Sequence, residues 1–302
     1  MKKGIYLVLL TAIISGFSSF LNKFGMQAVA KNAYQYAMLK NVIVALVLSW
    51  IILSPVIWSK LKRISKGDWS KLVLIGLVGG SIPFLLFFQG LSMTSSINAA
   101  FIHKTLFIWV IILAWPVLKE RVTKLQFLAL ATLFIGNVIF LGLRGMSWGY
   151  AETIILLATI LWSVENIIAK IVLKNVDALV LAWARMFFGS IFLFGFLTIT
   201  NNVSGLLDLS VNQFGWLVLM GVFLLGYIAT WYSALKRLPV TVVASFLVIA
   251  SPITTLLNSI FITHTIDVNK IVGLVVMIAA LIIFWRFSNL NIQSHKSEYC
   301  VK

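Results

Sequence analysis

Four lysines and arginines and one acid lie well inside the apolar stretches of this sequence: Lys23, Lys40, Lys104, Arg185 and Glu165. Near the centre of a bilayer such a group costs about 2.5–3.5 kcal/mol on insertion scales, so it usually faces a cavity or a partner. The alternative is snorkelling, in which a long side chain carries its charge to the headgroup layer. The depth of each residue along its helix decides between the two.

The stretch FIHKTLFIW places Lys104 deeper than the other two lysines. Lys104 follows Ser96 by about eight residues, roughly 12 Å at the rise of a helix, and a lysine side chain extends only about 6 Å. We therefore expect Lys104 to line an outward-facing cavity. Lys23 and Lys40 lie nearer the outer surface, where either interpretation holds, and His103 is either a packed histidine or a contact of the ligand.

No acidic residue falls in a predicted span of the N-terminal half. Three lysines that shared a vestibule would repel one another unless an anion arrived or one lysine lost its proton. The pattern predicts that Lys104 meets an anionic group of a substrate, such as a carboxylate or a phosphate. The alternative is that Lys104 is neutral or snorkels, and that the cavity is indifferent to charge.

Glu165 and Arg185 bracket an inner hairpin at similar distances from its centre, on adjacent helices. Either charge alone would be costly, so the spacing predicts an intramembrane ion pair. The pair is either a structural staple or a gating or coupling site on the cytoplasmic side. Polar and aromatic residues of neighbouring spans complete the predicted substrate-binding site: Gln89, Asn98, Trp162, Trp231 and Tyr232.

The elements that position these residues are predicted to be transmembrane helices. Of 302 residues, 61% are hydrophobic and 11% are charged, whereas a soluble domain carries about 25% charged residues. At about 20 apolar residues per span, the sequence predicts an all-α integral membrane protein; its first span imitates a signal peptide but lacks a cleavage site. The ten predicted spans are 4–24, 35–58, 69–92, 96–118, 124–143, 150–170, 178–200, 214–235, 240–263 and 270–287.

The basic residues predict the orientation of these spans. Seventeen of the 24 lysines and arginines fall on the side of the N-terminus, three on the opposite side and four inside spans. Because basic loops stay in the cytoplasm, we expect a protein of the prokaryotic cytoplasmic membrane with both termini cytoplasmic. The net charge of +16 then reflects topology and does not indicate nucleic acid.

An internal repeat relates the two halves of the chain. A shift of about 144 residues lays spans three to five over spans eight to ten, and SGFSSFLNK falls on WSVENIIAK. Each half holds five helices, an odd number, so the halves must have opposite topology. We predict two inverted five-helix repeats, 1–147 and 148–287, and a polar cytoplasmic tail, 288–302. Such repeats suit alternating access, with a substrate site near the midplane.

The end of the first half, LKERVTKLQFLALATLFIGNVIFLG, carries a further pattern. With Glu120 after the fourth span, Gln126 close by and Gly136 in the next helix, the chain resembles the EamA-type transporters of the drug/metabolite transporter superfamily. Ala129 stands where a glycine is usual, and His264 stands near the second expected glutamate. The resemblance implies a ten-helix secondary transporter of small metabolites, and it does not name a substrate.

Other classes of protein find less support. No G-x-x-x-x-G-K-[ST] motif occurs, so ATP is not expected to power the protein directly, and no pair of intramembrane carboxylates or metal-ligand spacing is present. The single cysteine, Cys300, excludes an intramolecular disulfide. We expect a small-molecule substrate and the lipid bilayer as partners, and no cofactor. The sequence leaves open whether the protein works as a monomer or a homodimer. The alternative is a membrane-embedded enzyme or a non-transporting scaffold.

Overall fold

The computed structural model describes residues 2–29, 31–120, 122–141, 148–265 and 268–300, with side chains except at 141 and 287–300. Within these ranges, nine helices are long and apolar enough to cross a membrane, and a tenth, Lys124–Phe140, is shorter. Arg121, Arg144 and Lys302, which enter the charge count above, lie outside the described residues.

A helix occupies each of the ten predicted spans, and the largest differences fall at the ends of spans one, two and ten. Spans three, four and nine are each built from two helices: α4 with α5, α6 with α7, and α12 with α13. In chain order the helices are α1 (Lys2–Val29), α2 (Ala33–Ile52), α3 (Pro55–Leu61), α4 (Lys66–Val78), α5 (Ile82–Met93), α6 (Ser96–Lys104), α7 (Leu106–Leu118), α8 (Lys124–Leu141), α9 (Tyr150–Val172), α10 (Ala178–Ile199), α11 (Val211–Leu235), α12 (Val240–Phe246), α13 (Ala250–Asn258) and α14 (Val268–Cys300).

Span two ends earlier than predicted, at Ile52. Pro55 lacks an amide hydrogen and cannot continue the helical ladder, and its ring drives the preceding residue out of the helical region. Ser54 accordingly has φ −60° and ψ 136°, and Pro55 begins the separate helix α3. At the other end of the chain, the backbone of α14 stays helical to Cys300, well into the segment predicted as a polar tail.

A break within span three frees a backbone carbonyl at the centre of the protein. In a continuous helix, Gly79 O would accept a hydrogen bond from the amide four residues later. That residue is Pro83, which has no amide hydrogen. Ser81 lies outside helical geometry at φ −129° and ψ −74°, so α4 ends before it and α5 begins after it. The carbonyl of Gly79 is therefore available to side chains from other spans.

The helix contacts stay the same when the two halves are exchanged. Span one packs along span eight, and its counterpart, span six, packs along span three. Span two packs against span seven, span four against span nine, and span five against span ten. Exchanging the two halves turns each of these pairs into itself, because its members are equivalent spans of the two repeats. The chain is therefore built from two five-helix repeats of opposite orientation. Spans one to four and six to nine surround the centre, and spans five and ten pair at the edge.

Glycines bring span three against span seven. A Cβ atom built on Gly189 would lie 2.6 Å from Gly80 O, so the two backbones touch here. Small residues permit such close approach of helices in membranes. Because Arg185 lies one turn before Gly189 on α10, the contact places its side chain beside the break in span three.

The outer surface of the helices is apolar. Trp50 and Ile199, for example, are 80% and 84% exposed. Extended apolar surfaces of this kind are rare on proteins that face water. Together with the length of the helices, they show that the chain is a multi-span membrane protein.

Candidate functional site

A cavity of about 80 Å³ lies between the two repeats. Of the predicted site residues, Lys40, His103, Trp162, Glu165, Arg185 and Trp231 line it. The remaining lining residues are Ser15, Ser18, Ser19, Asn22, Phe84, Phe87, Phe88, Leu106, Asn166, Leu224 and Tyr227. The walls thus come from spans one to four of the first repeat and spans six to eight of the second.

Lys40 brings its side-chain amine to this cavity from the middle of α2. Its Nζ donates to Asn22 Oδ1 at 3.0 Å and lies 3.9 Å from the centre of the Phe88 ring. Tyr36 Oη donates to the same Asn22 oxygen at 2.9 Å. Lys40 is only 2% exposed, so snorkelling does not describe it. The ring face and the amide oxygen both favour the charged form of the amine.

Arg185 reaches the cavity through the break in span three. Its Nη2 donates to Gly79 O at 3.0 Å, and Trp162 Nε1 donates to the same carbonyl at 2.9 Å. Both contacts depend on Pro83, because an ordinary residue there would bond to that carbonyl itself. Arg185 Nε is buried without a hydrogen-bond partner. The guanidinium therefore has a free donor beside the cavity.

Glu165 lies in the same cavity but does not form the predicted ion pair with Arg185. Glu165 accepts a hydrogen bond from Tyr232 Oη at 2.5 Å, and no nitrogen of Arg185 comes within 4.0 Å of its carboxylate oxygens. The prediction of a direct pair was wrong because each group has a nearer partner: a phenol for the carboxylate and a backbone carbonyl for the guanidinium. Beside them, Trp231 Nε1 donates to Asn166 Oδ1 at 2.8 Å.

The sequence predicted that Lys104 faces the cavity. In the structure, Lys104 is not a lining residue and lies behind the cavity wall. Its Nζ donates to Ser15 Oγ at 2.8 Å and lies 3.3 Å from His103 Nδ1. His103 lies at the cavity, with its ring centre 4.8 Å from that of Trp162 and 5.5 Å from that of Phe87. Both residues end α6, where the helix of span four is interrupted. Lys40 therefore takes the position in the cavity that was expected of Lys104.

Lys23 does not line the central cavity, and its side chain binds the carbonyls at the end of a helix. Its Nζ donates to Leu91 O at 2.7 Å and to Thr94 O at 2.9 Å, both at the C-terminal end of span three. Carbonyls at a helix C-terminus lack partners within the helix and attract a cation. The residue of the second repeat that aligns with Lys23 does the same.

That residue is Lys170, which the charge count assigned to a cytoplasmic loop. Its Nζ donates to Leu235 O at 2.7 Å and to Leu238 O at 2.6 Å, at the C-terminal end of span eight. The two lysines therefore occupy equivalent places at opposite ends of the molecule. The match of SGFSSFLNK to WSVENIIAK contains this signal, since both stretches end in the lysine concerned.

Gln89 and Asn98 lie away from the central cavity. Gln89 lines a separate cavity of about 360 Å³ at the end of span one, together with Lys23 and Lys31. Asn98 Nδ2 lies 3.4 Å from Thr94 Oγ1 at the start of span four. Six of the eleven predicted residues therefore line the central cavity, and five do not: Lys23, Gln89, Asn98, Lys104 and Tyr232.

Glu120 joins the end of span four to the start of span nine. Its carboxylate accepts from Val240 N at 3.0 Å, from Thr241 N at 3.2 Å and from Thr241 Oγ1 at 2.9 Å. The first amides of a helix have no partner within the helix, and an acidic group satisfies them well. The motif that suggested a family resemblance thus has a structural role here.

Sequence reasoning missed Ser15, Asn22 and Asn166 as parts of the site. All three are small polar residues within apolar spans, a type that more often packs between helices. The alignment of the two repeats could have pointed to these three residues. The aligned stretches of the two repeats, 15–23 and 162–170, contain all of them.

A chain with two inverted five-helix repeats around a buried polar cavity has the architecture of a membrane transporter. The model of the EamA-like transporter family matches it twice, over residues 2–142 and 149–286. The chain belongs to this family and is a membrane transporter.

Known proteins are similar to this chain over most of its length. An uncharacterized transporter of Clostridium kluyveri is 26% identical over 294 residues, which cover 94% of this chain and 93% of that protein. The uncharacterized transporter YyaM of Bacillus subtilis is 24% identical over 218 residues, 70% of this chain and 71% of that protein. One solved crystal structure has a TM-score of 0.72 at 16% identity, covering 95% of this chain and 96% of that one, which shows a common fold alone.

Proposed function

We propose that this chain is a secondary transporter that carries a small metabolite with a carboxylate or phosphate group by alternating access. The observation that carries the proposal is the charge of the central cavity. Lys40 and Arg185 both line it, and within the described part of the chain no carboxylate oxygen lies within 4.0 Å of either side chain's nitrogens. A buried cation without a counter-ion is costly, and an anionic substrate lowers that cost.

Lys40 Nζ lies 5.7 Å and the guanidinium carbon of Arg185 5.5 Å from the centre of the same ring, that of Phe84. Lys40 carries three hydrogens and uses one on Asn22, and Arg185 keeps its Nε–H free. Hydrogen bonds between ionised groups are about twice as strong as neutral ones. The planar guanidinium also matches the shape of a carboxylate or phosphate. We assign the anionic group of the substrate to the space between these two side chains.

The rest of the cavity favours a small substrate with an apolar or zwitterionic remainder. Phe84, Phe87 and Trp162 supply ring faces, and Glu165 supplies a carboxylate that suits an ammonium group. Amino acids and organic acids fit this pattern. Bulky lipophilic cations do not, because Lys40 and Arg185 repel them.

The size of the cavity supports movement of the helices during transport. Pockets for drug-sized ligands measure about 300–1,000 Å³, and this cavity is about 80 Å³. A metabolite therefore needs the walls to part. The breaks at Ser81 in span three and at Thr105 in span four are the natural places for bending, because the helical ladder is already interrupted there.

We propose further that both termini face the cytoplasm and that the protein lies in the cytoplasmic membrane. The distribution of lysine and arginine supports this orientation. In a variant lacking Cys300, single cysteines at Gly67 or Val122 should resist an impermeant thiol reagent in intact cells, and one at Asn202 should react. Labelling at Gly67 from outside would reverse the orientation.

Flux through purified protein in proteoliposomes tests the transport function. The panel consists of radiolabelled L-phenylalanine, L-glutamate, succinate, benzoate and glucose 6-phosphate, with choline as the cationic comparison. We expect protein-dependent flux of at least one anionic or zwitterionic compound and none of choline. Flux of choline alone would contradict the assignment of Lys40 and Arg185. Flux of no compound would favour the alternative functions, a membrane-embedded enzyme or a scaffold.

A further inference from the structure

We infer that His103 and Lys104 form a proton-binding site that couples the substrate to a proton moving in the same direction. The inference rests on the proposed transport function and adds the coupling ion to it. Its starting point is the contact between two basic side chains at the end of α6, 3.3 Å apart at Lys104 Nζ and His103 Nδ1.

The contact fixes where the hydrogens lie on the histidine ring. A lysine ammonium donates hydrogens and accepts none, so a charged Lys104 requires a bare Nδ1 on His103 and a hydrogen on Nε2. Ser15 Oγ, at 2.8 Å, is the other acceptor of Lys104. Because Lys104 is only 1% exposed, its charge depends on these two acceptors. The pair as it stands accommodates one positive charge.

The cavity gives protons access to this pair. His103 and Ser15 both line it, whereas Lys104 lies behind them. A proton from water in the cavity thus meets the imidazole first. The lone pair of Nδ1 faces Lys104, so protonation of Nδ1 requires the hydrogen bond from Lys104 to break and the two donors to move apart. The same proton later returns to water on the other side of the membrane, which balances the cycle.

The charged groups around the His103 ring determine when this histidine can take up a proton beside the charged Lys104. Lys104 lies beside His103 on the same helix, and Arg185 of α10 and Lys40 of α2 line the same cavity as His103. Glu165, on α9, is the acidic residue among the described lining residues, and Tyr232 already bonds to it. Three cations therefore oppose protonation of His103 while the cavity is empty.

An anion held by Lys40 and Arg185 removes much of that opposition. Proton and anion then bind cooperatively, and by linkage each raises the affinity for the other to the same extent. A carrier that is loaded with both or with neither moves them in the same direction. Where the proton gradient points inward, this cycle takes the substrate up.

Two measurements in proteoliposomes separate the proton site from transport itself. Counterflow of labelled L-phenylalanine, L-glutamate, succinate or benzoate, without a pH gradient, reports transport alone. Uptake under an imposed gradient, acid outside and with the membrane potential held at zero by potassium and valinomycin, reports coupling. With one proton per substrate, a gradient of one pH unit should drive about tenfold accumulation of the transported compound, because one pH unit and a tenfold ratio are equal in free energy.

His103→Asn is the decisive variant, since the asparagine oxygen offers Lys104 an acceptor but binds no proton at these pH values. In His103→Asn we expect counterflow at a reduced rate, and no accumulation of substrate above equilibrium under the pH gradient. The level of accumulation at the plateau does not depend on the transport rate, so a slow variant still gives a clear answer. His264→Asn is the matched control, because His264 is exposed at the end of span nine in a left-handed conformation that asparagine tolerates. It should accumulate substrate as the wild type does.

Wild-type counterflow without pH-driven accumulation would overturn the proton site and leave the transport function standing, as would accumulation that survives in His103→Asn. Counterflow of no compound would overturn both. If His103→Asn does not fold, Ser15→Ala supplies the test. It removes the other acceptor of Lys104 and so disfavours the doubly charged pair, which should move half-maximal coupled uptake to lower pH. An unchanged pH profile would contradict the inference.

Discussion

The contact between Gly80 and Gly189 sets how closely spans three and seven approach. A Cβ atom on Gly189 would lie 2.6 Å from Gly80 O and 2.8 Å from Gly80 Cα, whereas ordinary contact begins at 3.4 Å. Both neighbouring atoms belong to the backbone, so no side chain can rotate out of the way. Gly189→Ala must therefore part the two helices by about 0.8 Å, the difference between these contact distances.

The expected effect combines two opposing contributions. Overpacking usually costs about 1–3 kcal/mol, and replacing a helical glycine by alanine returns about 0.5–1 kcal/mol. We expect a net loss of about 1.25 kcal/mol in the free energy of unfolding, the difference between the midpoints of these two ranges. The hydrogen bond from Arg185 to Gly79 O lies one turn away, so the same displacement should also slow transport.

Gly195→Ala is the matched control on the same helix, because nothing lies within 4 Å of the added Cβ atom. Unfolding in mixed detergent micelles, followed by circular dichroism, compares the two variants. Gly195→Ala should be as stable as the wild type or up to about 1 kcal/mol more stable. Equal stability of the two variants would refute the close contact of the backbones.

The same unfolding assay checks three further contacts. Glu120→Ala should cost about 0.5–2 kcal/mol, as the loss of a helix N-cap does, and Glu120→Gln should cost less because it keeps an acceptor. A double-mutant cycle of Glu165→Gln and Tyr232→Phe should give a coupling energy of about 1.5–3 kcal/mol, the range for hydrogen bonds to charged groups; additive effects would argue against that bond. Lys23→Met and Lys170→Met should destabilise the protein by similar amounts, and a loss confined to one of them would contradict their equivalence in the two repeats.

Hydropathy and charge are sufficient to predict the ten spans, because the bilayer imposes both the length and the apolar character of each. The same reasoning misplaced the end of span two. Val56, Ile57 and Trp58 continue the apolar pattern past the true end at Ile52. Pro55 was the better guide, since it acts on the backbone whatever the polarity of its neighbours.

Depth along a helix identifies which lysines need an explanation but not where each side chain points. Lys40 enters the cavity, Lys104 lies behind it, and Lys23 binds helix-terminal carbonyls. The difference depends on residues that are distant in sequence, such as Ser15 for Lys104 and Leu91 for Lys23. A single sequence does not show these pairings.

The relation between Glu165 and Arg185 shows a second limit of depth arguments. Equal depth brought both residues to one cavity, as expected. It did not reveal the nearer partners, because one of them is a carbonyl released by the break at Pro83. A proline in mid-helix predicts a free carbonyl four residues earlier, but the residue that will bind to it comes from the tertiary packing.

Counterflow of the transported panel compound in Lys40→Met, Lys40→Arg and Lys62→Met tests the role of the cavity most directly. Lys62 is exposed between spans two and three, so Lys62→Met should show the same half-saturating concentration in counterflow as the wild type. Lys40→Met should raise the half-saturating concentration at least tenfold, which corresponds to about 1.4 kcal/mol for one charge-assisted contact, and Lys40→Arg should recover part of the affinity. Counterflow in Lys40→Met at an unchanged half-saturating concentration would contradict the binding of an anionic substrate between Lys40 and Arg185.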